Sequence, residues 1–158
     1  MEAAILRTWN VDVTVMDIDP ALSPDVLGSV DDLSMFDDKQ FDIIIASHVL
    51  EHLPFEYFDR CLSEISRVTK SALIYLPFAC LVPELRLSIE PIFRKSFRLR
   101  IPLFWKNHKF NGEHYWEIGV KGHSLSNTRQ VIARRFDIIA DYHNWDWRYS
   151  YNFVVTSK

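Results

Sequence analysis

The chain has 158 residues, 48% hydrophobic and 14% aromatic, which suffices for one domain with a substantial core and is too short for two ordinary ones. A formal charge of −3 supplies no global drive towards nucleic acid or an anionic membrane. Cys61 and Cys80 lack a CxxC spacing or a histidine cluster, which argues against a disulfide framework and for buried free thiols; with no long apolar run and no signal-type N-terminus, the expectation is a cytoplasmic protein with no membrane partner.

In chain order, Glu2 to Trp9 has helical composition, and Val11, Val13, Val15 and Ile18 mark a β-branched strand ending at Asp17-Ile18-Asp19-Pro20. Pro20 to Gln40 is rich in Asp, Ser and Pro and reads as loop, with a brief strand at Val26-Leu27. Phe41 to Ala46 is a continuous apolar run, as expected for a central strand covered on both faces in a parallel sheet. Leu50, Leu53, Phe58, Leu62, Ile65 and Val68 recur at helical spacing, with Pro54 near the start. Ala72 to Leu76 is a second apolar strand, closed by Pro77 and joined to the helix through Lys70-Ser71, so that strand, helix and strand form a parallel crossover.

Residues 79–123 break the rhythm and read as an insertion or lid. Its segment from Arg86 to Lys109 interleaves basic residues with Phe and Trp, which suits a phosphorylated or nucleic-acid ligand, or equally a solvated helical face. Ser124 is placed as an N-cap for a helix through Val131, Ile132 and Arg135, and strands are predicted over 136–142 and 151–156. Trp145 and Trp147 precede the last strand, where aromatic packing is the default role. No internal repeat is present.

The strings VTVMDIDP and GSVDDLSMFDDKQFDIIIASHVLEHLP, between Val13 and Pro54, resemble the second to fourth strands of class I S-adenosylmethionine-dependent methyltransferases of the type 11-like kind. The resemblance implies an α/β, Rossmann-like sheet with flanking helices and S-adenosylmethionine as cofactor. It places Asp17 on the ribose hydroxyls with Ile18 beside it and Asp19 as the near alternative. A carboxylate there can accept two hydroxyl hydrogen bonds where a doubly wound sheet opens its ligand crevice. Ser29 and Val30 match the loop against adenine, although an Asp is common in the family where Ser29 stands. Ser47 and His48 match positions facing the methionine part. The stretch NGEHYWEIG, from Asn111 to Gly119, looks like the distal half of a bacterial and archaeal subgroup.

The larger departure from the family is an absence. Members carry a first strand and an E-x-G-x-G-x-G loop, whereas the four glycines here stand at 28, 112, 119 and 122, and Met1 matches a position inside the helix that follows that loop. The family's first strand lies between its second and fourth. Its absence leaves two apolar edges, and the expectation is a rearranged strand, direct pairing of the flanking strands, or a partner chain such as a second copy in a homo-dimer. A longer gene product of which this chain is a fragment is a further reading.

For catalysis, the candidates are His114, preferred, and Glu113, because methyl transfer to a hydroxyl needs a group that removes its proton. His48 and His52 flank Glu51 in HVLEH, which is not the HExxH of zinc proteases, so no metal is expected. Two function classes follow. One is an S-adenosylmethionine-dependent O- or N-methyltransferase acting on a small molecule or glycan in preference to nucleic acid. The other is a non-catalytic module of the same ancestry that has lost cofactor binding and acts through partners or oligomerisation.

Overall fold

Helical periodicity in one segment and apolar runs on either side of it build the centre of the molecule. The computed structural model describes residues 2–89, 93–110, 112–144, 147 and 149–158. Strand β3 (Phe41–Ser47) runs parallel to β4 (Thr69–Pro77), and the helix α2 (Phe58–Val68) links them after two 3-10 turns at Leu50–His52 and Phe55–Tyr57. Strand β10 (Ser150–Ser157) adds antiparallel to β4, and β9 (Phe136–His143) adds antiparallel to β10, giving the sheet order β3-β4-β10-β9. This is the expected α/β architecture.

Phe58, Cys61, Leu62, Ile65 and Val68 fall on one face of α2, and all five are buried together with Ala72, Ile74 and Leu76 of β4 and Phe153 and Val155 of β10. Each large aliphatic side chain buried there contributes about 1.5–3 kcal/mol over remaining exposed. Ser124 caps α3 (Leu125–Ile132) as predicted, its hydroxyl accepting from the Asn127 amide at 3.1 Å, and the helix stops three residues before Arg135, short of the predicted end. Both cysteines are free and buried, and burial pushes the Cys61 thiol up to about 12.

Several expectations change. The helix runs straight into β4 at Thr69, so Lys70-Ser71 belongs to the strand; the amide of Thr69 still bonds back to Ile65, which makes a linking loop unnecessary. The segment from 84 onward is no helical face. Strands β6 (Glu84–Ile89) and β7 (Phe93–Arg98) form an antiparallel hairpin, because alternating Leu85, Leu87 and Ile89 suit a pleat and not a helix. Short strands β5 (Cys80–Leu81) and β8 (Ile101–Pro102) pair at its base. Asn111 and Trp145 lie outside the described residues. Among those described, no helix is long and apolar enough to cross a membrane.

The main correction concerns β3. It is an edge strand of the four-stranded sheet, with Ile43 51% and Ile45 40% exposed. Helix α1 (Glu2–Thr8) leads into a chain that is regular only at β1 (Met16–Asp17), which pairs parallel with β2 (Val26–Leu27) in a separate two-stranded sheet. Residues 11–15 have strand composition but form no ladder: the Val15 carbonyl accepts from the Val26 amide, while the Val15 amide donates to the Asp25 carboxylate and the Val13 carbonyl accepts from Arg7. Among the described residues, neither a rearranged strand nor direct pairing joins β1 to β3. A cleft of about 360 Å³ lies between them, walled by Leu6, Val13 and Val15 on one side and Ile43 and Ile45 on the other.

Candidate functional site

Ligand crevices in open α/β sheets form beyond the carboxyl ends of the parallel strands. A second cavity, of about 600 Å³, lies there: His48 follows β3, Pro77 ends β4, and His52, Glu113, His114, Glu117 and Trp147 line the remainder.

His48 takes up a left-handed backbone conformation, φ 52°, which is rare for a residue with a Cβ and costs about 1–3 kcal/mol. Its amide donates to the Tyr75 carbonyl at 3.1 Å, so the chain leaves the sheet immediately after β3 and turns back over the strand ends. Its ring lies 4.8 Å from that of Trp147, and its Nδ1 is 3.1 Å from Oε1 of Glu51. Glu51 is fully buried, and its second oxygen, Oε2, has no hydrogen-bond partner.

The segment carrying His114 is held by its neighbours. Trp116 is fully buried, its indole N–H donates to the Leu53 carbonyl at 3.2 Å, and its ring lies 4.9 Å from both Phe55 and Phe58. The Tyr115 amide donates to the Glu51 carbonyl at 2.9 Å. Gly119, at φ 94°, closes the far end: a Cβ there would stand 2.6 Å from the Ala79 carbonyl oxygen, so only glycine fits. Between these anchors, Nδ1 of His114 is 3.0 Å from Oε1 of Glu117 and its Nε2 is 3.9 Å from Oε1 of Glu51. With Nδ1–H donated to Glu117, Nε2 carries the lone pair. Behind this wall, burial and the neighbouring His108 push His123 below the usual histidine range, which favours its neutral form.

The predicted site residues fall into two groups. Asp17 ends β1, with Oδ1 accepting from the Asp19 amide at 2.9 Å. The Gly28 amide donates to the Asp17 carbonyl at 3.0 Å, which brings Ser29 and Val30 alongside. Ser29 donates its hydroxyl to Asp31 at 2.5 Å, Val30 is buried, and Ile18 is exposed. Ser47 and His48 stand at the end of β3. Val30 and Ser47 both line the cleft between the sheets, whereas His48 lines the larger cavity with Glu113 and His114. Glu113 is exposed, while His114 is half-buried and oriented by a carboxylate.

Glu51 and Glu117 were not selected from the sequence as site residues. The available signal was a repeated His-x-x-Glu spacing, His48 to Glu51 and His114 to Glu117, which in both places sets a carboxylate against Nδ1.

Residues 2–74 match the family profile of the methyltransferase domain. The PH0226 protein from Pyrococcus horikoshii OT3 has a similar fold, with a TM-score of 0.61 at 18% identity over 99% of this chain and 76% of that one. The likeness is thus to a methyltransferase domain over residues 2–74, and to the fold of a solved structure over nearly the whole chain. Also similar are an S-adenosylmethionine-dependent methyltransferase from Clostridium acetobutylicum ATCC 824 and a glycopeptide N-methyltransferase, MtfA, complexed with S-adenosyl-L-homocysteine. The first has a TM-score of 0.49 at 8% identity over 98% of this chain and 68% of that one. The second has a TM-score of 0.48 at 10% identity over 84% and 60%. No curated protein matches the chain in sequence.

Against the class I methyltransferase pattern, the ribose half of the cofactor fits: the carboxylate of Asp17 stands at the end of its strand and the backbone of Ser29 and Val30 runs beside it. The methionine half has Ser47 and His48 at the end of β3, and the sequence has no glycine-rich loop to accompany them.

Proposed function

We propose that the chain transfers a methyl group from S-adenosylmethionine to an oxygen or nitrogen of a small-molecule or glycan acceptor. One observation carries this reading: a cavity at the carboxyl ends of β3 and β4, containing a carboxylate-oriented histidine, in a chain whose residues 2–74 match a methyltransferase domain. Asp17, Ser29 and Val30 are the residues that would hold the nucleoside, with Ser47 and His48 at the methionine end. When bound, the cofactor supplies an electrophilic methyl group. The chain orients the acceptor in the cavity, and Nε2 of His114 takes its proton while Glu117 stabilises the resulting imidazolium. Glu113, exposed at the rim, contributes charge to the acceptor's approach. The basic hairpin is a weaker basis for a nucleic-acid acceptor, because Arg86 and Arg98 both pair with Glu84.

The open edge of β3 favours a second reading, a non-catalytic methyltransferase-like module that self-associates through that edge. Isothermal titration with S-adenosylhomocysteine separates the two. The enzyme reading expects stoichiometric binding that weakens about tenfold or more in Asp17→Ala, the loss of a charge-assisted hydrogen bond. A folded protein that binds none leaves the module.

A further inference from the structure

Glu51, His52 and His114 each offer one potential ligand atom, and the three atoms lie within 4.8 Å of one another. We propose that these residues form a binding site for a divalent first-row transition ion of the zinc class. Two imidazoles and one carboxylate are a donor set that such ions prefer, and three protein ligands beside a cavity leave coordination positions open, as in catalytic metal sites.

Three further observations point to a ligand. The carboxylate of Glu51 is fully buried, and its Oε2 has no hydrogen-bond partner, a desolvated acceptor for which the fold itself supplies nothing. Two of the three ligands already have the outer partners that metal ligands usually have: Glu117 lies 3.0 Å from Nδ1 of His114, which directs Nε2 inwards, and His48 lies 3.1 Å from Oε1 of Glu51. The rings of His52 and His114 meet edge to face with centroids 5.2 Å apart, so their nitrogens can turn towards a shared point without ring overlap. Metal bonds of about 2.0–2.2 Å set tetrahedral ligand atoms roughly 3.4 Å apart. The 3.9 Å between Nε2 of His114 and Oε1 of Glu51 needs only a small side-chain rotation to meet that.

The local sequence hides this site. His48-x-x-x-His52 is not a metal motif, and the third ligand arrives from the insertion, fixed by the Tyr115–Glu51 backbone bond and the Trp116 anchor. Ion binding stands apart from the methyl-transfer reading. A role for the ion in holding and polarising an acceptor oxygen in the same cavity rests on that reading, and there the ion replaces His114 as the group that activates the acceptor.

The test uses the full chain stripped with a chelator and titrated with Co2+ in the absence of cofactor, followed by its visible d–d absorption. One equivalent should bind with the intense bands of four- or five-coordinate cobalt, and Zn2+ should displace it. His52→Ala, at an exposed side chain, should weaken binding at least about 100-fold, more than the 10–100-fold expected for Glu117→Gln, which removes only an outer partner. Glu51→Gln should abolish the bands while circular dichroism shows a folded chain. Absence of Co2+ binding, or binding unchanged in His52→Ala and Glu51→Gln, overturns the site. Neither result depends on S-adenosylhomocysteine binding, so its failure and that of the methyltransferase reading are distinguishable.

Discussion

Trp116 links the chemistry to the core with a single side chain. Its ring packs against Phe55 and Phe58, its N–H satisfies the Leu53 carbonyl, and His114 and Glu117 stand two residues before it and one after it. Trp116→Phe keeps most of the apolar area but leaves that carbonyl without its donor, at an expected cost of about 1–3 kcal/mol. Chemical denaturation should show this loss. A variant of unchanged stability would show that the indole bond does not hold the segment.

At the scale of elements, Arg67 ties α2 to the loop after β2. Its guanidinium donates to the carbonyls of Leu33 and Phe36 at 2.8 and 2.9 Å and pairs with Glu64 and Asp38, each at 2.9 Å. Glu64 in turn accepts from the Leu33 amide at 3.0 Å. The Arg67 side chain holds the Glu64 carboxyl below its ordinary value of 4.5, and the Leu33 amide adds to this. A depressed folded value means that this contribution is fully present above about pH 4.5 and is lost as pH falls through the folded value. Urea midpoints should therefore decline below that pH. Glu64→Gln should lower the neutral-pH midpoint and flatten part of the acid-side decline; an unchanged acid profile in the variant would show that the clamp does not contribute.

For the whole molecule, the decisive feature is the cleft between the β1–β2 pair and the four-stranded sheet. Ile43 and Ile45 face it from an edge whose backbone groups have no strand partner among the described residues, an arrangement that invites another strand. The self-association proposed through this edge predicts a concentration-dependent mass in sedimentation equilibrium. Ile45→Lys should stay folded, because the side chain is 40% exposed, and should shift the protein to monomer. A wild-type protein that is monomeric at every concentration removes the dimer.

The sequence by itself determined which segments are helix and strand wherever the local pattern was strong. The period of α2, the apolar run of β4, the Ser124 cap and the β9–β10 pair are all set by neighbours in the chain. The string from Val13 to Pro54 also carried the resemblance to class I methyltransferases, because its strand ends and acidic turn are local signals. Only the tertiary structure decided that β3 is an edge strand. An apolar run reads the same whether a second strand covers it or a cleft does, and pairing partners lie far away in sequence. The same reason hid the grouping of Glu51 and His52 with His114. No local spacing encodes a ligand set completed by a distant loop, and the buried carboxylate becomes visible only when the loop closes over it.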